Sequence, residues 1–288
     1  MEFDELKFFT GMTAINNSCF LQCSSLRSIT IPDGLSTIDV YAFRLCSSLE
    51  FVNIPNSVTT ISKDAYSDCL GLKSISLTNV RYIKEDAFKN CKNLEIDEFD
   101  FPNLCELGQR AFIGVKIKKI VNLGSITVIN PSCFEQCTTL TDVVLSDIVT
   151  AILGGAFRLC SNLVSIRMPD TILSIGEGAF WGCAFESIKL PNHLTEIGKD
   201  GFVNCSKLLS ITIPSNVIKI GDYAIRNSTA LQYVKILAEV PPTLGNNVFD
   251  NTNNCPIYVP ATSVTSYKTA TNWSNYASRI KPMSEFAE

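Results

Sequence analysis

An apolar anchor, phenylalanine in most cases, returns every 22 to 24 residues along this chain: Phe20, Phe43, Tyr66, Phe88, Phe112, Phe134, Phe157, Phe180, Phe202, Ile225 and Phe249. Five residues before each stands a second apolar position, from Ile15, Ile38 and Ile61 through Leu107 to Ile220 and Leu244. A period of this size marks a solenoid, because one repeat cannot bury its apolar face alone and stacking on the next turn supplies the cover. The 288-residue length would otherwise suggest one or two globular domains. Contacts in such a stack run between neighbouring turns, so a single elongated array is expected instead.

One repeat reads Leu26-x-x-Ile29-x-Ile31-Pro32, followed by Leu35, Ile38, Ala42, Phe43 and Cys46. Leu26, Ile29 and Ile31 have the spacing of a strand whose alternate residues point inward after a bend. The frame recurs at Leu49/Val52/Ile54, Leu140/Val143/Leu145, Leu163/Ile166/Met168, Leu208/Ile211/Ile213 and Leu231/Val234/Ile236. Proline closes the strand at Pro32, Pro55, Pro102, Pro169, Pro191, Pro214 and Pro260, since it has no N–H for a central ladder position. Gly108, Gly176, Gly198 and Gly221 follow the second apolar position directly, where the chain is expected to turn. The Ala-Phe pairs, such as Ala42-Phe43 and Ala179-Phe180, suit a close approach beside a large core residue.

The pattern Leu-x-x-Ile-x-Ile-Pro-x-x-Val-x-x-Ile-Gly-x-x-Ala-Phe-x-x-Cys resembles the leucine-rich repeats of the BspA-like, or treponemal-type, family over nearly the whole chain. The resemblance implies a right-handed superhelix with a parallel β-sheet on its concave face, about eleven repeats of 22–24 residues and a C-terminal helical cap. It also implies a protein exposed on or secreted from bacteria or some protists and linked to adhesion. The domain boundaries expected are 1–260 for the repeats, with 1–14 a partial first repeat and 237–260 a degenerate last one, and 261–288 for the cap. A helix is predicted from about Thr262 to Ile280, with Tyr267, Trp273, Tyr276 and Ile280 covering the final turn. This tail resembles the terminal segment of BspA-like proteins of gut Bacteroidetes.

The frame bends in two places. The run Leu94-Glu-Ile96-Asp-Glu-Phe99-Asp-Phe101-Pro102 carries extra residues, and Val115 stands where Cys is usual, so a bulge is expected. The eighth repeat loses one residue between Cys183 and Ile188, with Phe185 at the Leu position. At the start, Phe3, Leu6 and Phe8 have the strand spacing, as if the chain began in mid-repeat with residues upstream in the natural protein.

Eight of the twelve cysteines, Cys23, Cys46, Cys69, Cys91, Cys137, Cys160, Cys183 and Cys205, fall three residues after the anchor. Stacked turns hold equivalent Cβ atoms at about 4.8 Å, beyond the separation of about 3.5 to 4.5 Å that a disulfide prefers. Free buried thiols are therefore expected, with four disulfides between adjacent turns as the alternative in an oxidising compartment. Zinc is not indicated: C-x2-C pairs are missing and the single histidine, His193, sits in a turn without a cysteine partner at ligand spacing.

Apolar residues make up 46% and charged residues 18%, enough for a continuous core. A net charge of −4 argues against a nucleic-acid partner. No apolar stretch reaches the length of a membrane span, and residues 1–10 lack a secretory signal, so an extracellular or cell-surface location implies a signal removed or omitted. One histidine and no G-x-S-x-G, Walker or dinucleotide motif leave no catalytic residues, cofactor or metal site to nominate. Asp97, Glu98 and Asp100 could hold Ca²⁺ or act as an acid/base pair, but they coincide with the irregular repeat, where polar residues suit an exposed bulge.

The credible working surface is the outward face of the strands. Small polar residues such as Ser28, Thr30, Asn53, Ser74 and Ser76 line its first part, whereas Arg167, Lys189 and Lys235 share a stripe in the last third beside Tyr233 and Tyr258. Arg and Tyr are favoured at binding hot spots. Arg167, Lys189, Tyr233, Lys235 and Tyr258 are therefore the candidate ligand-binding residues, for an acidic protein segment, an anionic glycan or host extracellular matrix. The expected function is a non-enzymatic protein- or glycan-binding ectodomain; the alternative is a structural spacer in a larger surface protein.

Overall fold

The structure is a computed structural model describing residues 2–3 and 11–287. It is a parallel β-solenoid in two compact units, Met1–Leu140 and Thr141–Glu288. Each turn contributes a strand at the Leu-x-x-Ile-x-Ile segment and a second, two-residue strand ending at the repeated Ile or Leu. In the first unit the strands of the first kind are Ser28–Thr30, Phe51–Asn53, Ser74–Ile75, Glu95–Asp100 and Lys116–Asn122. Ile29 pairs with Val52, and Val52 with Ile75, in parallel register. The short strands Ala14–Ile15, Thr37–Ile38, Thr60–Ile61, Tyr82–Ile83 and Glu106–Leu107 form a second parallel ladder. The second unit repeats the plan, with Ile211 opposite Val234 in one ladder and Ile197 opposite Ile220 in the other.

The anchor column lies between these ladders as a pile of flat rings. Phe20, Phe43, Tyr66, Phe88 and Phe112 stack with centroids 5.1 to 5.4 Å apart and planes within 17°. That separation is close to the strand repeat, so backbone pairing and ring stacking are satisfied together. Phe157, Phe180 and Phe202 stack in the same way in the second unit. Ala42, Ala65, Ala87 and Ala179 are fully buried beside their rings.

The two irregular repeats are accommodated differently. Phe99 stands edge-on to both Phe112 and Phe134, whose centroids are 6.1 Å apart. The bulge lies not in the run that carries the extra residues but in its partner strand, at a register shift between Ile120 and Asn122, and the ladder is interrupted between Ser74–Ile75 and Glu95–Asp100. In the shortened repeat, Phe185 is buried edge-on to Phe180, and the ladder is interrupted between Ser165–Arg167 and Ser187–Ile188. At the chain start Glu2–Phe3 pairs with Ser28–Ile29, so Phe3 rather than Leu6 lies opposite Ile29; Leu6 and Phe8 fall outside the described residues. Phe and Leu are equally apolar, and the pattern alone does not choose between these registers.

The expected turning glycines have another role. Each turn is made by two left-handed residues, third and seventh after the repeated Ile, as with Asp64 (φ 54°) and Asp68 (φ 61°) or Asp200 (φ 56°) and Asn204 (φ 60°). Short polar side chains tolerate that conformation best. Gly198 and Gly221 are not among the left-handed residues; a Cβ on Gly221 would lie 2.4 Å from Lys199 N, so it is absent to let one backbone approach the next.

The predicted helix over 262–280 is also corrected. A 3-10 turn over Ala261–Ser263 leads into an α-helix of six residues, Val264–Thr269, which ends where Ala270 becomes extended and Asn272 left-handed. A 3-10 turn over Trp273–Tyr276 and a strand, Ile280–Pro282, parallel to Ile257–Val259, complete the tail. Its Ser, Thr and Asn side chains compete for backbone groups and shorten the helix. Burial and carbonyl satisfaction decide the remainder. Trp273 Nε1 donates to Pro242 O at 2.8 Å, Tyr267 Oη to Ala238 O at 2.8 Å and Asn272 Nδ2 to Leu244 O at 2.7 Å. Arg279 donates to Cys255 O, Phe249 O and Thr252 Oγ1. The tail therefore covers the last turn as expected, but through side-chain donors and an added strand.

Candidate functional site

The cysteine column is built into the backbone and not into a reactive site. All twelve cysteines are free thiols. The Sγ of Cys46, Cys69 and Cys91 each donates at 3.0 Å to the carbonyl of the anchor one turn back, Phe20, Phe43 and Tyr66. Cys137, Cys183 and Cys205 do the same at 3.3 Å, and Ser228 takes over the position with its hydroxyl on Phe202 O. Burial pushes the Cys46 and Cys205 thiols up to about 12, which suppresses the thiolate needed for nucleophilic or metal chemistry. Cys23 departs from the expected burial: it is exposed, as is Cys19.

The acidic cluster faces a lysine-bearing neighbour strand. Lys116 Nζ lies 2.9 Å from Glu95, Lys118 pairs with Asp97, and Lys119 is opposite Glu98 in register. Among the described residues no group of three or more acidic, Cys or His residues is placed to hold a metal ion. His193 is exposed in its turn, with Nδ1 3.1 Å from Asp170 O.

The strand face of the second unit brings the five candidate residues into two groups. Arg167 and Lys189, both exposed, line an open hollow of about 480 Å³ with Asp147, Asp170 and Thr171. Arg167 is already engaged there, donating to Leu145 O and to Asp147 Oδ1 at 3.1 Å each. Asp170 is held below the ordinary carboxylate value by the backbone and side-chain N–H donors of Asn192. Within the hollow, Arg167 is thus ion-paired with Asp147, and Asp170 accepts from Asn192.

The second group is aromatic. Tyr233, Lys235 and Tyr258 alternate with buried Val234, Ile236 and Ile257, and registers of Ser210 with Tyr233 and Lys235 with Tyr258 align them on one face. The terminal strand adds Lys281 opposite Tyr258 in the same row. Phe286 folds back onto this row, edge-on to Tyr233 at 4.8 Å and to Tyr258 at 5.1 Å, with Lys235 Nζ 3.5 Å from its ring centroid. Sequence reasoning missed Lys281 and Phe286 because its predicted helix stopped at Ile280, and it assigned no strand beyond. The tail had no repeat frame to give it a register.

The model of the BspA type leucine-rich repeat region matches residues 13–141 and 127–256. The chain belongs to this BspA-type leucine-rich-repeat family. No curated protein sequence matches it. The BspA-type solenoid is similar to a leucine-rich repeat protein from Bacteroides ovatus ATCC 8483, with TM-score 0.59 and 20% identity over 94% of this chain and 88% of that one. It is also similar to the pneumococcal vaccine antigen PcpA, with TM-score 0.53 and 19% identity over 90% of this chain and 76% of that one. A leucine-rich cell surface protein from Faecalibacterium prausnitzii A2-165 aligns at TM-score 0.48 and 21% identity over 92% and 86% of the two chains. Among the described residues of this BspA-type protein, no helix is long and apolar enough to cross a membrane.

Proposed function

We propose that this protein is a non-enzymatic binding module, displayed on or released from a bacterial cell, that engages a protein or glycan, host extracellular matrix included, through the outward face of its strands. The observation that carries this reading is the row of half-exposed Tyr233, Lys235 and Tyr258 on a face whose alternate residues are buried. Aromatic and long cationic side chains held on a rigid ladder lose little conformational freedom on binding. The family supports it in kind, since BspA-type repeat proteins are typically surface or secreted binding proteins, and the similar pneumococcal protein is a vaccine antigen.

A spacer role is the second reading. It is favoured by ion pairs that join consecutive turns, such as Lys63–Glu85 at 3.1 Å, Lys73–Glu50 at 2.5 Å and Lys219–Glu196 at 2.6 Å, which commit surface charge to the stack itself. A glycan and extracellular-matrix array probed with the purified protein separates the two. Binding that disappears when Arg167, Lys189 and Lys235 are together replaced by Ser supports the module; an array without ligands, or unchanged binding by that variant, counts against it.

A further inference from the structure

Phe286 occupies the candidate binding row in a way that a cap does not require. The cap residues Tyr267, Trp273, Tyr276 and Ile280 are buried and, with Arg279, satisfy the carbonyls of the last turn. Phe286 lies beyond them, half-buried between exposed Glu285 and Ala287. The strand register ends at Pro282, opposite Val259, and beyond it Phe286 N donates to Met283 O within the segment itself. Beyond Pro282 the segment meets the row through one ring and one ion pair.

That ring is well matched to its seat. Two tyrosines meet it edge to face and an ammonium sits over its face, both favourable arrangements for an aromatic quadrupole. The flanking charge is also specific: Lys235 and Lys281 border the seat, and Glu285 Oε2 lies 4.0 Å from Lys281 Nζ. A segment attached by so few contacts opens readily compared with the buried cap.

We infer that Tyr233, Lys235, Tyr258 and Lys281 form a receptor slot for a phenylalanine next to an acidic residue in a partner polypeptide, and that Glu285-Phe286 is its reversible internal occupant. The inference rests on the binding-module reading and narrows it to an acidic, aromatic peptide at this end of the face. The tail competes with the partner, so the slot opens to ligands that outbind an occupant held at an effective concentration on the order of mM.

The probe is an acetylated peptide with the sequence of residues 282–287, Pro-Met-Ser-Glu-Phe-Ala. It is titrated into the ¹⁵N-labelled full chain and its Phe286→Ala variant, following the amides of Tyr233–Ile236 and Ile257–Val259. The expected result is half-saturation at about tenfold lower peptide concentration for Phe286→Ala than for the parent. Binding should be lost when the peptide phenylalanine is alanine, or when Tyr233→Ser and Tyr258→Ser are added to the chain. Equal titration of parent and variant, an alanine peptide that binds as well, or no shift at mM peptide overturns the inference. So does a fall in melting temperature of Phe286→Ala by several degrees, which would make Phe286 a cap residue. If the peptide fails while array ligands still depend on Arg167, Lys189 and Lys235, the slot alone is refuted. If the peptide fails and the array is empty, both readings fall.

Discussion

Tyr66 is the one anchor among the stacked rings with a hydroxyl, and that hydroxyl is buried without a hydrogen-bond partner. Desolvation costs about 1 to 3 kcal/mol for such a group, so Tyr66→Phe is expected to stabilise the chain by about 1 kcal/mol, read as a higher urea midpoint. The thiols give a pH dependence of defined sign. A thiol ionises near 9 in the unfolded chain, but burial holds Cys46 and Cys205 up to about 12 in the folded one. Their contribution is therefore complete below pH 9 and is lost as pH rises toward 12. Urea midpoints should fall across that window. At pH 8, alkylation without reduction should modify exposed Cys19 and Cys23, and spare Cys46, Cys69, Cys91 and Cys205 until urea is added. The cysteine column was legible because it shares the period. Its hydrogen bonds to carbonyls were not, because spacing places a side chain and leaves its donor unaimed.

At the scale of the element, the turn and the cap are where local chemistry departs from the repeat frame. Gly221→Ala places a Cβ against Lys199 N, and overpacking of a fixed backbone costs about 1 to 3 kcal/mol; thermal melts should show the loss. Sequence reasoning located Gly221 at the turn but gave it the wrong task, since the left-handed residues of this turn are Tyr223 and Asn227. Arg279→Ala removes three donors from the last turn and is expected to cost about 2 kcal/mol. Lysine at 279 should recover little of it, because one ammonium cannot reproduce the fork.

For the whole molecule, stability is close to a sum of turns and their neighbour contacts. Trp273→Ala should therefore raise amide exchange first at Ile257–Val259 and Tyr233–Ile236, while Ser28–Thr30 and Phe51–Asn53 keep their protection. Uniform loosening of both units would contradict this picture. The period made the stack readable, and the outward alternation of Tyr233, Lys235 and Tyr258 made the candidate face readable. Their partner Phe286 was not, since it reaches the face only after an aperiodic tail. Six column sulfurs find their partners in carbonyls one turn back, and Ser228 does the same without sulfur. The column thus makes no demand on the redox potential around it: it closes each turn with a hydrogen bond that needs neither an oxidant to form nor a reductant to keep.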